Sequence, residues 1–320
     1  MKFGVLSGLL WGLDTVVLGI ALGMGLFADS PDSALVGALL HDAACMIILF
    51  VYMAARGRLR DTATALRTRS GKVVMVGALL GGPIGMTGYL VAIDNIGPGY
   101  TAILSSFYPA VGTVLAVVFL KERMRMRQVI ALAVALVAIM VMGWSSTGVA
   151  DGGNALVGVV AAVVCMVGWG SEAVLLAWGM RDDAVDNETA LQIRETTSAL
   201  VYGLLVVPVA GALGTAWDFT FTAPTAVIAL AAVAGTLSYL FYYKAIDQIG
   251  AARGMAVNIS YSAWAVVFGI VFLGEIPGVL QVVCCVAIIC GTVLSASADW
   301  KELRFWGGRA RAADQDSIPA

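Results

Sequence analysis

The hexapeptide AIDNIG at residues 92–97 recurs as AIDQIG at residues 245–250, which is 153 residues further along the chain. The stretch FLKE at 119–122 recurs at the same offset as FLGE at 272–275. Chance similarity between apolar segments rarely keeps acidic residues at one fixed offset. The repetition therefore predicts that the chain consists of two related halves.

Single polar and aromatic residues also match between the two segments. At the offset of 153 residues, the matched pairs are Tyr108 with Tyr261, His41 with Arg194, and Asp42 with Glu195. Near the start of each half, a Trp-Gly-x-acid motif places Trp11 before Asp14 and Trp169 before Glu172. These two motifs are 158 residues apart, which indicates a small insertion in one connection.

The composition is that of an integral membrane protein. Hydrophobic residues make up 60% of the chain and charged residues 12%, with a mean hydropathy of +0.91. Soluble globular domains carry about 25% charged residues. The net charge of −2 comes with no basic stripe between aromatic residues, so we expect no nucleic-acid partner.

The apolar runs predict an all-α fold of about ten transmembrane helices, since one span needs about 17–25 residues. The first run exceeds the apolar region of a signal peptide, about 7–15 residues, so we interpret it as a true span. The expected spans lie near residues 3–27, 33–55, 73–94, 97–120, 128–147, 154–178, 189–213, 224–246, 250–273 and 277–298.

Basic residues in the connections between the expected spans are confined to one of the two alternating sets of connections. They cluster at 56–72, at 121–127 and in the C-terminal tail, and Arg181 follows the sixth span. Lysine and arginine do not occur in the alternate connections, near 28–33, 94–97, 145–153, 214–223 and 274–277. The positive-inside rule then predicts a multi-pass protein of the inner (plasma) membrane with both termini in the cytoplasm.

Five spans in each half is an odd number, so the two halves enter the membrane in opposite directions. We expect one five-helix repeat at 1–147, an inverted five-helix repeat at 148–298, and a cytoplasmic tail at 299–320. Inverted repeats are characteristic of secondary transporters, whose substrate sites lie near the bilayer midplane between the repeats.

Several stretches extend this interpretation: FGVLSGLLWGL (3–13), HDAA (41–44), GALLGGPIGM (77–86), and the segment 92–122 that begins with AIDNIG. Together with the two halves, they resemble the drug/metabolite transporter superfamily (EamA-like, ten helices) from residue 3 to about residue 297. The closest resemblance is to the bacterial choline permeases of that superfamily. It implies a permease that imports choline or a related compound.

An ionised carboxylate inside a span costs several kcal/mol, so Asp14 and Glu172 require a compensating role. Residues i and i+3 share a helix face, which places Trp11 beside Asp14 and Trp169 beside Glu172. Aromatic faces attract quaternary ammonium groups by on the order of 1–2 kcal/mol per desolvated ring. The motifs therefore predict a cavity for a small organic cation, with each acid as its counter-ion or as a proton carrier.

Further candidates for substrate binding are titratable or aromatic residues inside the spans, namely His41, Tyr243, Tyr261 and Trp264. The candidates for coupling to protons are Asp14, Glu172 and Asp42. Structural alternatives stay open at this stage: Glu172 paired with Arg194, Asp42 paired with His41, and aromatic rings that only pack helices.

We expect a secondary active transporter that moves choline or a related quaternary ammonium compound by alternating access, and not an enzyme. One alternative is an exporter of amino acids or other small metabolites, for which Arg194 is the candidate to bind a carboxylate. Another is a membrane enzyme centred on His41 and Asp42. The expected partners are a cationic substrate, the lipid bilayer, and protons or the membrane potential as driving force, with no cofactor or metal.

Overall fold

The computed structural model describes residues 2–144, 153–181, 184–274 and 276–297, so the predicted tail at 299–320 lies outside the described residues. Within these ranges every regular element is a helix. The predicted all-α membrane fold is confirmed, because most of these helices are long and strongly apolar.

Ten long helices follow one another along the described chain, and we number them in order. They are α1 Lys2–Leu22, α2 Ser33–Ala55, α3 Arg69–Gly97, α4 Tyr100–Leu120, α5 Met126–Trp144, α6 Ala155–Gly179, α7 Asn187–Val201, α8 Ala223–Ile249, α9 Ala251–Leu273 and α10 Val279–Ala296. Short helices also lie in the connections, among them Leu59–Ala65 and Leu213–Phe219.

Helix α7 differs from the other nine, each of which is long and apolar enough to cross a membrane. Its 15 residues include Glu188, Arg194 and Glu195. Helical geometry continues beyond α7 through a wide π-helical turn at Tyr202–Val206. The segment predicted as the seventh span, 189–213, is therefore largely helical but carries buried charges that lower its hydropathy.

The glycines that end AIDNIG and AIDQIG form matching corners between consecutive helices. Gly97 has φ 80° and ψ 161°, and Gly250 has φ 87° and ψ 161°. This left-handed conformation is accessible to glycine at little cost because it has no Cβ. At Gly250 a Cβ would also meet the carboxylate of Glu122, which accepts hydrogen bonds from the backbone N–H groups of Ala251 and Ala252.

A second matched corner ends helices α4 and α9. Lys121 has φ 60° and ψ 28°, and Gly274, at the same offset of 153 residues, has φ 67° and ψ 19°. The same backbone conformations therefore recur at the spacing seen in the sequence. The division of the chain into halves at 1–147 and 148–298 stays a prediction.

The two helices that carry the Trp-Gly-x-acid motif, α1 and α6, each pack closely against two other long helices. Helix α1 lies against α8 and α9, and α6 lies against α3 and α4. A Cβ at Gly12 would come within 2.9 Å of the Tyr261 carbonyl oxygen, and one at Gly170 within 2.8 Å of the Tyr108 carbonyl oxygen. Small residues at helix contacts allow such close approach in membranes. Both motif glycines therefore bring a matched tyrosine next to a motif tryptophan.

Candidate functional site

A cavity of about 50 Å³ lies where α1, α4, α6, α8 and α9 meet. Its lining is mostly aromatic and includes one acid; the residues are Trp11, Tyr108, Trp169, Glu172, Ser238, Tyr239, Tyr242, Asn258 and Tyr261. Both tryptophans of the repeated motif, Trp11 and Trp169, thus line the same cavity. Of the two motif acids, Glu172 is the one in the lining.

The aromatic rings of the cavity contact one another edge to face. The ring centre of Trp11 lies 4.7 Å from that of Tyr239 and 6.4 Å from that of Tyr261. The ring centre of Trp169 lies 5.8 Å from that of Tyr108. Edge-to-face pairs are favoured by the ring quadrupoles, so these contacts fix the orientation of the walls.

A π-helical turn in α3, Leu80–Met86, supports the second tryptophan and the acid. The indole N–H of Trp169 donates to the Gly81 carbonyl oxygen at 3.0 Å. A Cβ at Gly81 would overlap the carboxylate of Glu172, so the glycine makes room for this acid. Turns of this kind are frequent at functional sites, and here the turn positions one cavity wall.

The side chain of Arg194, from α7, binds the carboxylate of Glu172. The guanidinium donates from Nε to Glu172 at 3.1 Å and from Nη1 to Glu195 at 2.9 Å. It also donates from Nη2 to the Tyr239 hydroxyl at 2.9 Å, and its central carbon lies 4.6 Å from the centre of the Tyr239 ring. The pairing of Glu172 with Arg194, an alternative raised by the sequence, is therefore present.

The imidazole of His41, from α2, lies between two carboxylates. Its Nε2 is 3.0 Å from Asp14 Oδ1, and its Nδ1 is 3.4 Å from Asp42 Oδ1. Neutral imidazole has one N–H, whereas imidazolium donates to both neighbours. The second oxygen of Asp42 accepts from Ser198 Oγ at 2.5 Å and lies 3.8 Å from Arg194 Nη1.

These contacts form one buried network that leads from α1 to the cavity, and we call it the polar chain. Its members are Asp14, His41, Asp42, Ser198, Arg194, Glu195 and Glu172, all buried. Four carboxylates face two bases, which leaves two negative charges in excess when all six groups are ionised. A buried unpaired ion costs several kcal/mol, so the polar chain favours the uptake of protons or of a cation.

The sequence-predicted residues fall into groups by location. The cavity lining contains Trp11, Trp169, Glu172 and Tyr261, whereas Asp14, His41 and Asp42 belong to the polar chain behind it. Tyr243 and Trp264 lie outside both. Within the described part of the chain, the Tyr243 hydroxyl and the Trp264 indole nitrogen are buried with no hydrogen-bond partner.

Sequence reasoning did not select several lining residues as candidates, namely Tyr108, Ser238, Tyr239, Tyr242 and Asn258. A signal existed for two of them: Tyr108 is the repeat match of Tyr261, and Asn258 precedes Tyr261 by three residues. In the structure, Asn258 Nδ2 donates to the Tyr108 hydroxyl at 3.2 Å. Tyr239 and Tyr242 lie within one turn of Tyr243, and the sequence predicts that at least one of these three tyrosines reaches the cavity. Ser238 lacks a sequence signal that separates it from packing residues.

A separate charged group joins the end of α2 and the connection after it to the start of α7, and we call it the connection cluster. It consists of Tyr52, Arg56, Arg58, Asp186 and Glu188. Arg56 Nη1 donates to Glu188 at 2.7 Å, and Tyr52 donates to the same oxygen at 2.9 Å. Arg58 binds Asp186 at 2.6 Å and also contacts Glu188.

Asp186 occupies the N-cap position of α7, outside the predicted membrane spans. Partial burial raises the pKa of its carboxyl, but the hydrogen bond from the Thr189 backbone N–H and the contact with Arg58 outweigh burial. The pKa of Asp186 therefore lies below its ordinary value. The carboxylate form of this cap is the stabilised one.

Fold and site together define a multi-span membrane protein with a buried aromatic and acidic cavity. The chain belongs to the EamA-like transporter family, whose family model matches residues 1–144 and 156–297. Membership of this family indicates a membrane transporter of small metabolites.

Two known proteins extend this comparison. Protein LicB of Haemophilus influenzae is 29% identical over 195 residues, which cover 60% of this chain and 63% of LicB. The match therefore spans less than two thirds of that relative. A solved crystal structure has a TM-score of 0.64 at 17% identity, covering 91% of this chain and 97% of its own. At that identity the likeness shows a shared fold.

Proposed function

We propose that the protein is a secondary transporter of a small organic cation, with choline or a related quaternary ammonium compound as substrate. The observation that carries this proposal is that Trp11, Trp169 and Glu172 line one cavity. A quaternary ammonium group has no N–H to donate, so aromatic faces and a carboxylate suit it better than carbonyl groups. Each desolvated ring contributes on the order of 1–2 kcal/mol.

The polar part of the lining suits a substrate that also carries a hydroxyl group. Tyr108 accepts a hydrogen bond from Asn258, whose own Oδ1 accepts from Ser7 at 2.8 Å. The Tyr108 hydroxyl keeps its proton to donate toward the cavity. A hydroxyl oxygen such as that of choline would be a matching acceptor, and the sequence resemblance to bacterial choline permeases supports this choice.

The surroundings of Arg194 argue against an exporter of amino acids. A substrate carboxylate needs a cationic side chain that is not already compensated. Arg194 binds Glu172 and Glu195 and lies 3.8 Å from Asp42, so its charge is surrounded by acids. An α-carboxylate next to it would meet net negative charge, whereas a cation would be attracted.

The polar chain supplies a proposed route for coupling to protons. His41 has a carboxylate at each ring nitrogen, and histidine is the side chain that titrates nearest to neutral pH. We infer that Asp14, His41 and Asp42 bind a proton together while Glu172 faces the substrate. Both termini and the connection cluster then lie in the cytoplasm, and import across the inner membrane follows the membrane potential or the proton gradient.

Transport of labelled choline into proteoliposomes tests the proposal. We expect wild-type protein and the Trp217→Ala variant to accumulate choline, because Trp217 is 74% exposed and is not part of the cavity lining. Trp11→Ala should lose most of the uptake. Uptake of amino acids without choline would favour the exporter, and chemical conversion of choline would favour an enzyme; each result would overturn the proposal.

A further inference from the structure

The guanidinium of Arg194 occupies the environment that the proposed function assigns to the substrate. It donates to Glu172 and lies over the ring of Tyr239, and both residues line the cavity. A carboxylate and an aromatic face are the two groups that recognise a quaternary ammonium ion. A second cation at the same groups would be repelled by the first, because like charges at contact distance in a buried site interact strongly.

Arg194 has a second set of acceptors, Glu195 and Asp42, which are not part of the cavity lining. Its Nη1 already donates to Glu195 at 2.9 Å, and Glu195 is fully buried. The same nitrogen lies 3.8 Å from Asp42 Oδ2, about 1 Å longer than a charge-assisted hydrogen bond. A small shift of the guanidinium would therefore exchange Glu172 for Asp42 while the contact with Glu195 is kept.

We propose that Arg194 is a resident cation that the substrate displaces. In the empty cavity it neutralises Glu172 and covers the Tyr239 ring. When a quaternary ammonium ion binds, Arg194 shifts onto Glu195 and Asp42 and leaves Glu172 and Tyr239 to the substrate. This inference rests on the proposed function, and it identifies Arg194 as a residue that determines specificity and affinity.

Displacement of Arg194 by the substrate explains why the site would select positively charged molecules. A neutral or anionic molecule brings no charge to replace that of Arg194, so the pair with Glu172 stays closed. For a cation, the apparent dissociation constant equals the intrinsic one divided by the fraction of protein in which Arg194 has moved. Changes that favour the retracted position of Arg194 should therefore tighten binding, and changes that disfavour it should weaken binding.

Two variants shift Arg194 in opposite ways. Arg194→Lys keeps the charge but has no planar fork, so it does not bind Glu172, Glu195 and the Tyr239 hydroxyl together. We expect tetramethylammonium to bind about three- to tenfold more tightly to this variant. Glu195→Gln removes the charge of the second acceptor without touching the cavity lining. We expect about three- to tenfold weaker binding, because Arg194 stays on Glu172.

The measurement is a tetramethylammonium titration of the purified full chain at one fixed pH, followed by tryptophan fluorescence and by the shift in thermal unfolding. Asp218→Asn, an exposed acid outside the network, is the matched control and should bind like wild type. Opposite changes in affinity for Arg194→Lys and Glu195→Gln support the resident cation. Weaker binding in both variants indicates a merely structural arginine and overturns it.

If Arg194→Lys does not fold, Glu195→Gln and Asp42→Asn carry the test: weaker binding in both supports displacement, and unchanged binding in both overturns it. Trp11→Ala separates this inference from the proposed function. If wild type binds tetramethylammonium and Trp11→Ala weakens that binding, the proposed cation site stands. If Arg194→Lys and Glu195→Gln then do not change affinity in opposite directions, only the resident cation is overturned. Absence of tetramethylammonium binding to wild type and to every variant overturns the proposed cation site, and the resident cation falls with it.

Discussion

The pair of Asp14 with His41 and the pair of Glu172 with Arg194 are one contact that occurs twice in the molecule. In each, the acid that ends a Trp-Gly-x-acid motif binds a base on the next long helix, and the two bases match at the sequence offset. The shortest distances are 3.0 Å and 3.1 Å. The two regions therefore share one kind of acid–base contact, but they differ in the side chains that make it and in their position relative to the cavity.

The difference in side chains between the two pairs suits them to two different roles, substrate binding and proton binding. Glu172 is one methylene longer than Asp14 and lines the cavity, whereas Asp14 ends at His41 behind it. Arginine stays charged at all physiological pH values, whereas histidine changes charge near neutral pH. This acid–base contact thus occurs once with a permanently charged base at the proposed substrate site and once with a titratable base beside it.

The largest expected effect on substrate affinity is a difference between the two motif acids, Glu172 and Asp14. Glu172→Gln should weaken tetramethylammonium binding by about 30-fold or more, since truncating a buried charge partner costs about 2 kcal/mol or more. Asp14→Asn, the matched change in the other pair, should stay within about threefold of wild type because Asp14 is not in the lining. Calorimetric titration of both variants measures the contrast. Equal losses would show that the two pairs act alike.

The second prediction tests the shared part of the two motifs. Trp11→Ala and Trp169→Ala should each weaken binding about tenfold, which corresponds to one cation–π contact. Trp169→Phe should weaken it more than Trp11→Phe, because the Trp169 indole also donates to the Gly81 carbonyl oxygen. The same titration serves, with Trp217→Ala as the control. Wild-type affinity in both alanine variants would remove the tryptophans from the site.

The third prediction isolates the titratable pair. His41→Gln should lower choline uptake driven by an inward proton gradient by about fivefold, because the imidazole that binds the proton is gone. Exchange of labelled for unlabelled choline at equal pH on both sides should stay close to wild type. Flux assays in proteoliposomes measure both. A loss of exchange as large as the loss of driven uptake would place His41 in substrate binding instead.

The smallest expected effect concerns the connection cluster, which shares no residue with either pair. Asp186→Asn keeps an N-cap acceptor for α7 but loses the charge that binds Arg58, so it should cost less than about 1 kcal/mol of stability. Because the pKa of Asp186 is lowered in the folded protein, its contribution is present above the unfolded pKa and is lost as pH falls through the folded pKa. Thermal unfolding should therefore differ between wild type and variant at pH 7 and converge at acid pH. A difference that persists at low pH would show that the charge is not the cause.

The sequence indicated all four members of these two acid–base pairs and raised the contact of Glu172 with Arg194 as an alternative, but it did not predict the contact of Asp14 with His41. The membrane class followed from composition, and the duplication brought out Trp11, Trp169 and Glu172, which all line the cavity. That Asp14 turns to His41 depends on the rotation of α1 against α2, which spacing along one helix does not determine.

Helix α8 shows the same limit within a single turn. Tyr239 and Tyr243 share a face at positions i and i+4, and we favoured Tyr243 for the cavity. The structure places Tyr239 in the lining and buries Tyr243 completely. Periodicity predicts which side of a helix is covered, but the neighbouring helices decide which residue on that side meets a cavity.

The corner at Gly250 makes one position indispensable to two helices. A side chain at position 250 would strain the backbone and displace the Glu122 carboxylate from the first N–H groups of α9. The contact between the end of α4 and the beginning of α9 would then be lost. Evolutionary drift can reshape the cavity walls one ring at a time to suit another cargo. Position 250 does not tolerate comparable change. Relatives with different substrates should therefore keep glycine at this corner and vary the residues that line the cavity.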